Sequence, residues 1–443
     1  MAVWTDPTRR RWIVWGVLAL GFLLVNVHRL SSAVLSEDLM RAFDATGSQL
    51  GTLHSAFFYI YAPMQVLAGV SADRLGIRTT ATGGVFVMSL GGVAFGLAPV
   101  YPVAFLARVL IGLGASVVFI ATLRFCSNWY RPDEFATMSG LTVAVAGLGG
   151  ILATTPLAVV RATLGLRATL LALGLIGFLI AALVWLLARD TPADAGLDAI
   201  ENVPSAPTLT LGEVAANVRS VLGSRETWLA GLAMFTSTGL NLTVLGLWGV
   251  PYVAQVYDLS ITAASTTVLL GSVGLLLGPP AIGRVSDALG RRTELMVVGA
   301  VLYTSAFALL ALVGQPPLPA VGLLFFAVSF LAGSYTLSYT VIKNRHRSEA
   351  SGVATGAVNA LAFSGAAVFP TVMGAILDAF WTGETVAGAR VYTLVGYRVL
   401  FGLAATMGLV SLICVTWLHL RTSGPGVAAG EGDEGEGGKP VGA

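Results

Sequence analysis

Five basic side chains fall inside stretches that are otherwise almost wholly apolar: His28, Arg29, His54, Arg108 and Arg124. An ionisable group in hydrocarbon is costly unless it faces a partner or a wet cavity, so each is a candidate for binding something. Arg29 carries a planar fork of donors that matches a carboxylate bidentately. His54 opens a stripe in which Phe58, Tyr61 and Gln65 follow at i+4, i+7 and i+11, placing imidazole, aromatic and amide groups on one helix face. Aromatic stripes usually pack, but polar groups in the same stripe favour a hydrated cavity. Structural readings stand beside these. Arg29 and Arg124 lie close enough to the ends of their runs to snorkel toward water. Arg108, in ARVLIGLGA, precedes Gly112 and Gly114, which allow close helix approach, so it could face a neighbouring helix as readily as a ligand. Either lone histidine could be a satisfied core residue.

What is missing narrows the chemistry. No Asp or Glu lies in the middle of an apolar run, and the nearest, Glu37, Asp38 and Asp378, sit near run ends. A cation-binding cavity is therefore disfavoured. A group that changes charge near neutrality is supplied by His28 or His54, with Glu37 and Asp38 as the alternatives at an outer end. The second half of the chain offers neutral polar candidates: Asn241, Trp248, Tyr335, Tyr339 on the same face as Tyr335, and Asn359 in GAVNALAFSG. Packing is the plainer role for either Tyr, whereas an amide among Ala and Gly must find a partner.

The elements that would hold these residues are membrane helices. The chain has 443 residues, is 56% hydrophobic and 11% charged, and its mean hydropathy of +0.81 exceeds what soluble domains tolerate. A net charge of +2 offers no basic face for nucleic acid. Cys126 and Cys414 sit far apart in apolar runs, where a thiol behaves as a small hydrophobe. Arg9, Arg10 and Arg11 lead into a run too long for a cleavable signal, so the first helix is expected to stay attached. A crossing needs about 20 apolar residues. Twelve runs qualify, at 12–35, 48–71, 79–98, 102–126, 135–158 and 167–188, then 227–250, 262–283, 293–313, 319–342, 350–376 and 396–419. Of 25 Lys and Arg, three lie within runs, 17 on one face and five on the other. The positive-inside rule therefore predicts both termini in the cytoplasm.

The organisation follows: a six-helix bundle over 1–188, a linker over 189–226, a second bundle over 227–420, and an acidic Gly-rich tail over 421–443 expected to be disordered. Val214, Val218 and Leu222 predict a short surface helix in the linker. GVSADRLGIR, at Gly69 to Arg78, returns as GRVSDALGRR 214 residues later, so that Gly69, Asp73, Gly76 and Arg78 correspond to Gly283, Asp287, Gly290 and Arg292. An internal repeat of half the chain follows. With Arg74 and Arg291, these residues are expected to latch the two halves together on the cytoplasmic face and to release when the halves rock.

The loop GxxxDRxGxR between the second and third runs resembles the signature of the major facilitator superfamily, and twelve spans in two repeats fit it along the whole chain. Ala288 departs from the pattern, standing where the first copy has Arg74. The first 130 residues resemble the organophosphate:phosphate antiporters and related organic anion transporters. That resemblance places Arg29 at their substrate arginine of the first span, Tyr61 at a cavity tyrosine, Gln65 where they have a lysine, and Arg124, before NWY, at a fourth-span arginine some of them share. Their seventh-span arginine has no counterpart, since NLTVLGLWGVPY presents Asn241, Thr243, Trp248 and Tyr252.

The expectation is an all-α membrane protein of twelve helices in two six-helix pseudo-repeats. It would be a monomeric secondary transporter in the cell membrane, moving a small organic anion, with a carboxylate suiting a single arginine, by alternating access. Protons or a counter-transported anion would couple the movement, and no cofactor or metal is implied. A multidrug or drug-like exporter is the alternative, which the RxxxGxG of the fourth span fits but the fifth, lacking a central Gly-Pro doublet, does not. A non-transporting membrane sensor is a further alternative. No Ser/His/Asp constellation, P-loop or metal-ligand cluster marks an enzyme.

Overall fold

A computed structural model of the chain describes residues 6–198, 200, 211–346, 351–386 and 388–422. The first half contains α1 (Pro7–Leu30), α2 (Ser32–Phe43), α3 (Gly47–Leu75), α4 (Ile77–Leu97), α5 (Tyr101–Trp129), α6 (Pro132–Leu152) and α7 (Thr155–Leu187), and α8 (Leu211–Gly223) follows in the linker. The second half contains α9 (Arg225–Thr243), a π-helical turn (Val244–Trp248), α10 (Gly249–Tyr257), α11 (Ile261–Leu289), α12 (Arg292–Val313), α13 (Leu318–Tyr335), α14 (Leu337–Lys343), α15 (Ser351–Ala379), a hairpin of β1 (Trp381–Val386) and β2 (Ala389–Tyr392), and α16 (Leu394–Thr422). Taking α1 with α2, α9 with α10, and α13 with α14 as single crossings gives twelve. Ten helical segments among the described residues are long and apolar enough to cross a membrane. The tail beyond Thr422 and the side chains of Val214 and Val218 lie outside the described residues, while the linker helix itself is present.

Local chemistry sets the ends. Asp6 caps α1 by accepting from the Thr8 hydroxyl (2.6 Å) and backbone N–H (2.8 Å), which hold its carboxyl below the usual carboxylate range. Thr46 and Gln49 form a capping box at the start of α3. The sixth crossing bends at Gly165, where φ is +78°, a value glycine adopts without strain. Exposed Val159, Val160 and Leu164 mark the short arm before the bend.

With an even number of crossings, both ends of the described chain lie on one face, termed the near face; the connections α2–α3 and α15–α16 lie on the far face. Within the first half α3 and α4 pack against α5 and α7 packs against α4, and within the second α9, α12 and α13 pack with α11, α15 and α16. The halves meet chiefly along α3 and α15, with α6 and α11 forming a second seam. Small residues make these approaches possible, since backbones in lipid associate by packing rather than by a hydrophobic drive. A Cβ at Gly112 would collide with the Phe57 carbonyl of α3, and one at Gly114 with the Gly84 carbonyl of α4. Backbone cannot move aside as a side chain can. Gly112→Ala is therefore expected to destabilise the folded protein by about 1–3 kcal/mol, read as a lowered unfolding temperature in detergent; an unchanged temperature would contradict this packing.

Candidate functional site

The centre of the molecule is organised by the break in the first crossing. Arg29 lies in the last turn of α1, just before Ser31, and its side chain turns toward the seam between the halves. One turn earlier, Asn26 donates through Nδ2 to the Phe22 carbonyl (2.8 Å), leaving Oδ1 to accept from Arg29 Nη1 (3.1 Å). Among the described residues that is the one hydrogen bond of the Arg29 side chain. Its Nε and Nη2 are buried without a partner among the described residues, the residue being 6% exposed. Instead the guanidinium is surrounded by rings: Tyr61 at 4.9 Å, Phe363 at 4.8 Å and Phe57 at 5.8 Å from the centroids. Ring quadrupoles stabilise a cation but leave its in-plane N–H groups free to donate. Phe363 belongs to α15, so both halves build this platform.

A second polar group lies along the same seam. Tyr339 donates to Asn359 Oδ1 (2.8 Å), and Asn359 Nδ2 donates to Gln65 Oε1 (3.0 Å), joining α14, α15 and α3. Gln65 Nε2 is left buried and unpartnered. Asn359 and Phe363 are four apart on α15, as are Tyr61 and Gln65 on α3, so the cationic and amide groups are about one turn apart. His54, 1% exposed, lies farther toward the far face, with its ring 5.6 Å from Phe58 and both ring nitrogens unpartnered among the described residues. It faces the π-helical turn of the seventh crossing, where a Cβ on Gly246 would stand 3.1 Å from the imidazole. Asn241 donates to Ser329 (3.1 Å) while its Oδ1 has no partner. Trp248 donates to the Pro370 carbonyl (3.4 Å) and meets Tyr392 edge to face.

Several expected site residues are placed elsewhere. Tyr335 points into the second half and packs on Tyr303 (5.5 Å), because its helix ends at that residue and the following turn directs Tyr339 to the seam. His28 is buried within the first half, where a Cβ on Gly92 would stand 3.3 Å from its ring. Asp38 is held by Arg161 through Nε and Nη2, with Arg41 3.4 Å away, so its charge is already matched. Glu37 is half-buried beside that cluster. Arg124 is half-buried on α5, on the near-face side of Arg108. Arg108, 1% exposed, serves the fold: Nη1 donates to the His28 carbonyl (3.0 Å) and Nη2 to Ser32 Oγ (3.2 Å), bracketing the break between α1 and α2.

The described residues of the expected latch make local contacts. Arg78 donates from its backbone to Asp190 (2.8 Å) and from Nε to the Trp185 carbonyl (2.7 Å), and its guanidinium lies 3.9 Å over the Trp185 ring. A Cβ at Gly76 would run into the Asp190 carboxylate. These contacts stay within the first half and the start of the linker. In the second copy Arg292 pairs with Asp287 (3.5 Å) and Arg291 with Glu294 (3.3 Å), again locally, and Gly283 and Gly290 have open space around them. Arg74 is exposed, and of Gly69 and Asp73 only the helical backbone is described. Among the described residues the near-face loops brace their own halves and the linker, while inter-half hydrogen bonds run from Gly47 and Ser48 at the far face down to Gln65 and Asn359, and Thr155 meets Thr266 and Ser265 across the second seam.

Sequence reasoning passed over Asn26, Phe57 and Phe363. Phe363 was legible as the residue one turn from Asn359; Phe57 and Asn26 look like ordinary span residues until Arg29 is placed between them.

Two six-helix halves joined by a linker, with polar groups gathered where they meet, define a multi-pass membrane transporter of repeat-built design. The profile described as Major Facilitator Superfamily matches residues 17–370 and again 239–441, and the chain belongs to that family. It is a transporter and not an enzyme. The chain is 26% identical over 309 residues to the probable sulfoacetate transporter SauU of Cupriavidus necator, covering 67% of this chain and 70% of that one. It is 25% identical over 374 residues to the hexuronate transporter of Bacillus subtilis, covering 82% and 86%. Its fold is similar to that of a bacterial homologue of the human lysosomal transporter Spinster, with a TM-score of 0.75 at 17% identity over 93% of this chain and 97% of that one.

The two buried arginines are expected to respond differently to replacement. Arg108→Leu removes both bonds at the helix break and should cost about 2–3 kcal/mol of stability, seen as earlier thermal unfolding in detergent. Retention of the parent unfolding temperature would show that the bracket is not needed.

Proposed function

We propose that the protein is a secondary transporter that binds the carboxylate of a small organic anion at Arg29 and moves it by alternating access. The observation that carries this reading is the pair of unpartnered N–H groups on Arg29, buried on an aromatic platform shared by both halves. A buried charge without a counter-ion is costly, and a carboxylate arriving between the halves would relieve that cost while accepting both bonds. Gln65, Asn359 and Tyr339 supply donors and acceptors for a hydroxyl or carbonyl elsewhere on the same molecule. The sulfoacetate and hexuronate named for the two relatives are anions of this general kind. A single cationic anchor favours a carboxylate over a phosphate dianion, which would recruit more positive charge.

The closed far-face seam and the locally braced near-face loops support an inward-facing reading, with the near face cytoplasmic and the protein in the cell membrane. Asp73 and its loop would then act on the cycle, engaging the other half when the far face opens. Where a proton accompanies the anion, we assign it to His54, a choice supported by its ring lying at the seam while His28 is packed inside one half. Protonating His54 would raise the positive potential of the site, so proton and anion would bind with positive linkage.

Arg29 can be tested for binding separately from folding. Arg29→Gln should abolish the thermal stabilisation produced by carboxylates and raise the stability of the empty protein by about 1 kcal/mol, since it removes an unsatisfied buried charge. Arg29→Lys should weaken binding about tenfold or more, because an ammonium cannot present the planar fork. Normal binding and transport in both variants would overturn the assignment. For the proton step, substrate-driven proton uptake into liposomes should disappear in His54→Gln and persist in His28→Gln; persistence in both removes histidine from the coupling route.

A further inference from the structure

The hairpin between the last two crossings was not expected from the sequence, and it is placed where it can control the far face. Asp378, at the end of α15, accepts from the backbone N–H groups of both Gly47 and Ser48 (2.7 Å each), the first residues of α3 in the opposite half. A carboxylate at that point satisfies two of the donors that every helix start leaves free and complements the positive end of the helix dipole. Arg390 of β2 donates to the same carboxylate (3.2 Å) and lies 4.4 Å over the ring of Trp381 of β1. The clamp and the hairpin therefore share one charged group.

The hairpin is anchored on both sides. On its own half, Gln255 of α10 donates to the Arg390 carbonyl (3.0 Å) and accepts from the Tyr392 N–H (3.1 Å), while Tyr397 of α16 donates to the same amide oxygen (3.0 Å). On the opposite half, a Cβ at Gly388 would stand 2.7 Å from the side chain of Arg41 in α2, and one at Gly47 would stand 2.7 Å from the Tyr392 hydroxyl. Tyr392 also rests edge-on against Trp248, its ring 6.2 Å away. The segment spans the mouth of the seam from one bundle to the other.

We propose that β1, β2 and Asp378 form a strap that holds the far face shut and must release α3 before that face can open. It is a gate specific to this connection and separate from the signature loops of the near face. The proposal rests on the alternating-access reading for its purpose, but its test needs no substrate.

The reporter is Thr371→Cys in a Cys126→Ala, Cys414→Ala background, because the Thr371 hydroxyl lies in the seam, 3.2 Å from Thr52. Labelling by a membrane-impermeant maleimide in nanodiscs then measures opening. Asp378→Asn, which keeps the shape but removes the charge, should speed labelling about fivefold, and Gln255→Ala, which frees the hairpin from α10, should speed it in the same direction. Thermal unfolding of each variant guards against misfolding, and if Asp378→Asn does not fold, Arg390→Gln takes its place. Parent-rate labelling in the folded variants would overturn the gate. Faster labelling in Asp378→Asn but not in Gln255→Ala would reduce the device to one carboxylate and overturn the strap. Labelling as expected with no anion binding would leave the strap standing and defeat the substrate reading instead.

Discussion

The structure depends on how closely α3 and α15 approach each other. A Cβ at Gly51 would collide with the Pro370 carbonyl, and one at Gly374 with the Gly47 carbonyl, so the two backbones meet with nothing between them. Contact at that distance fixes the register of one half against the other. The consequences follow in order along the seam: Asp378 reaches the first turn of α3, Thr371 meets Thr52, Phe363 packs with Tyr61, and Asn359 reaches Gln65. A one-turn slip would lose all four.

Arg29 and Arg108 show how the same residue type takes opposite roles in one low-dielectric setting. Both are buried, and among the described residues neither has an acidic partner in reach of an ion pair. Arg108 uses its fork on a backbone carbonyl and a hydroxyl exposed by the break between α1 and α2, so its donors serve the helix that carries Arg29. Arg29 keeps two donors in reserve on an aromatic floor. Unsatisfied buried donors are costly in a folded protein, and the two on Arg29 lie where the two halves meet. The division of labour is physical: one arginine holds the geometry that leaves the other unsatisfied.

The repeat adds a further constraint. With a period of 214 residues, the break around Ser31 in the first crossing corresponds to the π-helical turn beginning at Val244 in the seventh. The two irregular segments touch, since a Cβ at Gly246 would stand 3.1 Å from Leu30 as well as from His54. Freed backbone groups at both breaks lie inside protein, the condition under which a membrane helix can depart from regular geometry. Each half thus places an irregular helix at the centre.

What the sequence determined alone is what depends on composition and spacing. Twelve crossings follow from runs of apolar residues, because the bilayer thickness imposes a length. The repeat follows from two copies of a charged loop, and the candidate anchor from an arginine where hydrocarbon penalises charge. Helical periodicity likewise put His54, Tyr61 and Gln65 on one face. Tertiary structure decided which of these residues meet. Nothing in spacing distinguishes Arg29 from Arg108, Tyr339 from Tyr335, or His54 from His28, because a helix pattern gives a face and not the neighbour that face is turned to. Asp38 is matched because the bend at Gly165 brings Arg161 to it, and Arg78 of the near-face loop is held by Asp190 and Trp185. Those choices come from long-range packing, where residues hundreds of positions apart compete for the same few donors and acceptors in a medium that offers no water to replace them.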